Sequence, residues 1–204
     1  MATKKQRAWQ RMLSGRRLDL LDPSPLDVEL SDIAHGLARV ARWNGQTNGD
    51  YTFSVAQHSV LVLEIFKSLN PKQTDIANLY ALLHDASEYV MGDIISPFKV
   101  AMGGDYKQLE NSLLGAIHIR FSLSPSPGAK LKKAIKQADI QAAFFEATFL
   151  AGFEKNEAKK LFGVPIIANF DIEGFDHLIQ PWPTQEAQKR FVAAFEQLND
   201  KINF

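Results

Sequence analysis

Cysteine is absent from the 204-residue chain. A disulfide framework, a thiolate-ligated zinc site and a cysteine nucleophile are therefore excluded. Net charge is absent too, since Lys+Arg and Asp+Glu both number 23. That balance argues against broad electrostatic binding of a nucleic-acid polymer or a membrane surface, but not against one small charged substrate in a local pocket. No apolar run approaches the ~20 residues of a membrane span. The basic N-terminus, MATKKQRAWQRML, has no apolar stretch of the signal-peptide kind. A soluble cytoplasmic protein is expected. The phosphate-loop pattern G-x-x-x-x-G-K-[ST] is missing. Strand patterning is weak, with only VPIIANF (164–170) reading as a short extended piece.

What is there is apolar residues, 46% of the chain, at helical spacing. Residues 1–30 read as an extended arm after room for a short helix. Asp22-Pro23 and Ser24-Pro25 mark turns, and Leu18, Leu20 and Leu21 are expected to pin the arm. Residues 31–204 form the main body. Ser31 is placed to cap a helix to about Trp43, with Ile33, Ala34, Leu37, Ala38 and Ala41 inward. Ser54 and Gln57 fit a capping box for a helix that stops at Asn70-Pro71. Further helices are expected over 74–90, 105–121, 129–150, 155–162 and 184–198. The fold class is all-α, a helical bundle with one extended N-terminal arm.

The stretch that departs from a core pattern is LYALLHDASEYVMGDIISPFK (79–99). An apolar helix runs into His84-Asp85, with Glu88 near the same helical face and Asp93 in the loop after Gly92. Charge gathered at a helix end costs stability unless something binds there. His58 and Asp139 lie on two other expected helices. Helices around a bundle core can bring such side chains to one point. Two imidazoles and two carboxylates suit one divalent ion, Mn, Co, Fe, Ni or Zn, with about two octahedral positions left open.

The order H…HD…D resembles the signature of the HD-domain metal-dependent phosphohydrolases. HDASEYVMGDIISPFK is similar to the HDASE-x₃-GD-x₃-P-x-K stretch of the YfbR-type 5′-deoxynucleotidases. Arg42-Trp43, AQHS around His58 and KQAD ending at Asp139 resemble that group's other segments. The likeness covers about residues 31–150. Gln57 stands where those enzymes carry an acid, and the arm and the helical extension after about 155 have no counterpart. The resemblance implies an HD-domain bundle and His58, His84, Asp85 and Asp139 as metal ligands. It implies Glu88 and Asp93 as catalytic acids, and Arg42, Trp43 and Lys99 as substrate contacts. The expected activity is removal of phosphate from a (deoxy)nucleoside 5′-monophosphate, with a small-molecule partner and a homodimer by analogy.

Other readings stay open at this point. A scaffold of this type can hold metal or nucleotide without turnover, or hydrolyse (p)ppGpp or a cyclic nucleotide instead. Residue by residue, Glu88 reads alternatively as a solvated helix acid, Asp93 as a turn acid, Arg42 as a helix-end cation and Trp43 as a core anchor. His35 lies near Arg42's face, and His118 and His177 read as structural.

Overall fold

The computed structural model describes residues 8–94 and 104–202. Among them are nine α-helices and one two-stranded sheet, so the all-α expectation holds. None of these helices is long and apolar enough to cross a membrane.

Among the described residues the arm is a hairpin; the short helix for which its start had room falls largely on residues 1–7, outside the described residues. Strand β1 (Trp9–Arg11) pairs antiparallel with β2 (Arg17–Asp19), Gln10 opposite Leu18. Gly15, at φ +95°, makes the turn, a conformation that costs a residue with a Cβ. The arm is fastened by Ser14, whose backbone N–H and hydroxyl both donate to the buried Asp32, at 2.9 and 2.5 Å. Leu18 is fully buried, Leu20 packs at the core edge, and Leu21 is 67% exposed, so only two of the three leucines pin it.

Helix α1 spans Leu30–Leu37, and α2 spans Val55–Leu69. α2 is the spine. Eleven of its fifteen residues are buried, as an element apolar on every side must be. α3 (Asp75–Leu82), α6 (Ala129–Phe149) and α9 (Thr184–Ile202) pack around it. The short α4 (Glu88–Met91) lies on α1. α5 is Gly104–Arg120, α7 (Lys155–Phe162) lies on α6, and α8 (Phe175–Ile179) packs where the start of α2 meets the end of α6.

Two expected helices are shorter than their periodicity suggests. The first ends at Leu37, not Trp43. Residues 40–42 instead pair with 53–55: the Arg42 N–H donates to Phe53 O at 2.9 Å and the Val55 N–H to Val40 O at 3.0 Å. That closes the base of the 41–54 loop and carries Arg42 beside the start of α2. The second, expected over 74–90, breaks after Leu82. Tight bonds from Ala86 N–H to Leu83 O and Glu88 N–H to Asp85 O, both 3.0 Å, replace the α-helical ladder. His84 and Asp85 therefore sit in a turn, not on a helical face. Adjacent residues on an α-helix diverge by ~100°; the turn lets both aim inward. Gly92, at φ +77°, ends α4 as expected. Residues 164–168 form no strand, and α9 runs on past Leu198 to Ile202.

Candidate metal centre

His58 lies in the first turn of α2, fully buried. His84 and Asp85 come from the turn after α3, and Asp139 from the middle of α6. The four expected ligands converge, with donor atoms all within 4.8 Å of one another. His58 Nε2 is 3.3 Å from His84 Nε2, 3.5 Å from Asp85 Oδ2 and 3.3 Å from Asp139 Oδ1. His84 Nε2 is 3.2 Å from Asp85 Oδ2 and 4.0 Å from Asp139 Oδ1.

The other nitrogen of each imidazole is occupied. His58 Nδ1–H donates to Glu146 Oε1 at 2.5 Å, and His84 Nδ1–H donates to Ala81 O at 2.9 Å. Each ring therefore turns an Nε2 lone pair towards the other and towards two carboxylates. Four electron-rich atoms facing each other repel unless a cation lies among them. Donors bound ~2.0–2.2 Å from one ion lie ~3 Å apart at right angles and ~4.4 Å apart when opposed. The observed spacings match that range closely, so the donor set fits a divalent ion.

The electrostatics agree. Burial, the largest influence on His58, lowers its proton affinity, as does Arg42. Glu146, Asp139 and Asp85 outweigh both and raise its pKa well above the ordinary value. For Asp85, burial favours the neutral acid, but His84 and His58 hold its pKa well below the usual carboxylate range. Burial acts likewise on Asp139, and the neighbouring His58 and His84 bring it down. The centre stabilises positive charge at the point where the four donors meet. Lys136 reaches it from outside, Nζ to Asp139 Oδ2 at 2.7 Å.

Glu146 is the residue that sequence reasoning missed. It is fully buried and accepts from three groups: His58, the Trp43 indole N–H at 2.8 Å and Arg42 Nε at 3.4 Å. Burial would favour its neutral form, but His58 and Arg42 beside it hold its carboxyl down to about 2. One signal was available. Seven positions separate it from Asp139, two turns along one helical face, and its neighbours on that face are apolar.

Arg42 lies partly buried between two acids, Nη1 to Asp93 at 3.0 Å and Nε to Glu146. Trp43 and Asn44 both have positive φ, 56° and 51°, a conformation that costs roughly 1–2 kcal/mol per residue with a Cβ. The indole bond to Glu146 and ring contacts with Phe153 and Phe162 hold Trp43 in place. Glu88 is buried in the first turn of α4, 2% exposed. Lys99 lies outside the described residues. His35 is not among the four converging residues.

Gln57, the departure beside His58, also has a structural account. The expected capping box is half made: Ser54 Oγ accepts from Gln57 N–H at 3.3 Å. The Gln57 side chain turns to the C-terminal extension. Its amide donates to Leu178 O and Gln180 O at 2.8 and 2.6 Å and accepts from Trp182 N–H at 2.9 Å. A carboxylate could not donate the first two bonds. The glutamine and the extension are one feature.

No protein-family model matches the chain. Over 160 residues it is 58% identical to the Uncharacterized protein RCAP_rcc00048 of Rhodobacter capsulatus, spanning 78% of this chain and 82% of that protein. Over 146 residues it is 28% identical to the Uncharacterized protein YfdR of Escherichia coli, spanning 72% and 74%.

Proposed function

The chain belongs to the family of the Rhodobacter capsulatus protein, and on that premise we propose that it is a metal-dependent phosphohydrolase of the HD-domain type. Its proposed substrate is a (deoxy)nucleoside 5′-monophosphate. The observation that carries the reading is the pair of Nε2 lone pairs, each fixed by a bond at Nδ1, meeting two carboxylate oxygens. His58, His84, Asp85 and Asp139 would hold the ion. They leave room for exchangeable positions, as a catalytic centre needs and a closed structural site does not. When bound, a divalent ion supplies Lewis acidity and an activated water at neutral pH.

The chain's own residues do the rest. Glu146 fixes the His58 tautomer, and Ala81 O that of His84; such bonds orient a ligand and make it more basic. Glu88, buried one short turn beyond Asp85, orients the attacking water and takes its proton. Arg42 keeps its charge because Glu146 and Asp93 outweigh the burial that opposes it. Its planar guanidinium is suited to a phosphate held through two hydrogen bonds. Asp93, tied to Arg42, would meet the sugar. Trp43 keeps Arg42 and Glu146 in register.

The test is metal content and phosphate release on one purified sample, with a nucleotide panel and Mn, Co, Fe, Ni and Zn in turn. Bound metal with release from monophosphates is expected, and Glu88→Ala should keep the metal while losing roughly 10²–10⁴ in rate. No retained metal would overturn the reading. Metal without release from any nucleotide would leave a binding module in its place.

A further inference from the structure

The longest helix of the site, α6, has a second built face. At ~100° per residue, Asp139 and Glu146 point to the metal centre while Ile140, Phe144 and Lys133 turn away from it. Lys136 lies between the two directions. On that second face is a cavity of about 410 Å³, closed on its far side by Phe162 and residues 164–166. Its size falls in the range of small-molecule sites.

The far wall is fastened to α6. Gln141 donates from Nε2 to Ile167 O at 2.9 Å and accepts the Ile166 N–H at Oε1, 3.0 Å. The lining is apolar and open to water. Val164 is 74% exposed, Ile166 57% and Ile140 37%, an arrangement that wastes apolar area unless something covers it. Phe144 and Phe162 add aromatic surface. Lys133 and Lys136 supply positive charge, and no acidic residue among the described residues lines the cavity. Apolar and aromatic walls with cations at the edge match one ligand chemistry: an aromatic ring carrying a single anionic group.

Lys136 belongs to both places, since it lines the cavity and its Nζ pairs with Asp139. We infer that the cavity is an effector site for an aromatic monoanion, coupled to the metal centre through Lys136. An anion in the cavity competes with Asp139 for that ammonium. Drawing it away removes positive charge from beside the ion's position and leaves Asp139 a more negative donor. The Lys136 side chain is 68% exposed, so its pair with Asp139 is a weak tether and an anion in the cavity can draw the ammonium away. Metal and effector should therefore strengthen each other's binding, and by linkage each must do so by the same factor. The inference rests on the metal reading, because it takes Asp139 as a ligand.

The probe is 8-anilinonaphthalene-1-sulfonate, an aromatic monoanion whose fluorescence rises in apolar surroundings. Mn²⁺ binding by the wild-type protein comes first and tests the metal reading alone. The dye should then bind at one site per chain and tighten Mn²⁺ binding by about fivefold, at the low end of ordinary couplings. Ile140→Trp, which fills the cavity, should weaken the dye at least tenfold. Lys136→Met keeps the stem and removes the charge; it should tighten Mn²⁺ on its own and abolish the dye's effect on it. Mn²⁺ binding with no dye effect would overturn the coupling. Dye affinity unchanged in a folded Ile140→Trp protein would overturn the site. Absence of Mn²⁺ binding would instead sink the metal reading, which separates the two failures.

Discussion

Glu146→Gln puts the greatest strain on the reasoning about the centre. Glu146 is fully buried and offers acceptor oxygens to His58 Nδ1–H, the Trp43 indole and Arg42 Nε at 2.5, 2.8 and 3.4 Å. Glutamine keeps the volume but removes the charge and turns one oxygen into a donor. Whichever way the amide is turned, its NH₂ meets N–H groups. Two consequences can be sized separately. Removing one partner of a buried ion pair costs about 3–5 kcal/mol. The retained oxygen puts the change at the low end, about 3 kcal/mol, or roughly 6–12 °C in Tm for a chain of this size. The second consequence is on the ion. An imidazole ligand that loses its outer anchor costs 10–100-fold in metal affinity. Because the Glu146 carboxyl is held down from 4.5 to about 2, its stabilisation is fully present above about pH 5. It fades only as pH falls towards the folded value, so assays at pH 7–8 see the whole effect. Thermal unfolding and Mn²⁺ titration by calorimetry read the two consequences, with Glu146→Asp as the control that keeps the charge. A folded Glu146→Gln protein that binds Mn²⁺ within twofold of wild type would refute the argument that Glu146 prepares His58.

Three further outcomes test how the fold supports the site. Gln57→Glu sets a carboxylate against Leu178 O and Gln180 O, at a cost of about 1–3 kcal/mol per buried group left unpaired; trypsin should then cut sooner at Lys189 or Arg190, and an unchanged digestion pattern would count against the clamp. Gly36→Ala would place a Cβ 2.8 Å from both the Cβ and the backbone oxygen of Tyr89. The usual helix gain from alanine, about 1 kcal/mol, should thus reverse to a loss of about 1–3 kcal/mol, and a urea midpoint that rises instead would refute the close approach of α1 and α4. His118 is buried, donates from Nδ1 to Pro125 O at 2.9 Å and meets Tyr80 edge-on. Burial lowers its pKa, so the unfolded chain takes up the proton first and stability falls as pH drops through about 6.5. His118→Phe should cost about 1 kcal/mol at pH 8 and less at pH 5.5, as urea unfolding at the two values will show; a gap that widens on acidification would refute the assignment.

The primary structure alone determined the kind of fold and which four residues come together as a group that could hold a metal. Helical spacing of apolar residues is a local property, and α2, α6 and α7 follow it to within a residue or two. His84-Asp85 stood out because two polar side chains interrupted an apolar run, and interruptions are visible without any partner. The same local logic went astray where distant segments compete for the backbone. Periodicity continued past Leu37, but pairing with residues 53–55 offered the 40–42 backbone other partners and moved Arg42 beside α2. It also continued past Leu82, where the turn satisfies the backbone as well as a helix would and aims both His84 and Asp85 at one point. Glu146 and Gln57 were hidden for a related reason. An acid or an amide on a helix is ordinarily solvated, and apolar neighbours on one face, the local sign that Glu146 carried, do not show which partners it meets. Only the packing of α6 against α2, and of the C-terminal extension against the start of α2, removed the water from these two side chains. Once it was gone, each had to meet its hydrogen-bonding needs from the protein, and those partners lie 88 to 104 residues away for Glu146 and 121 to 125 for Gln57.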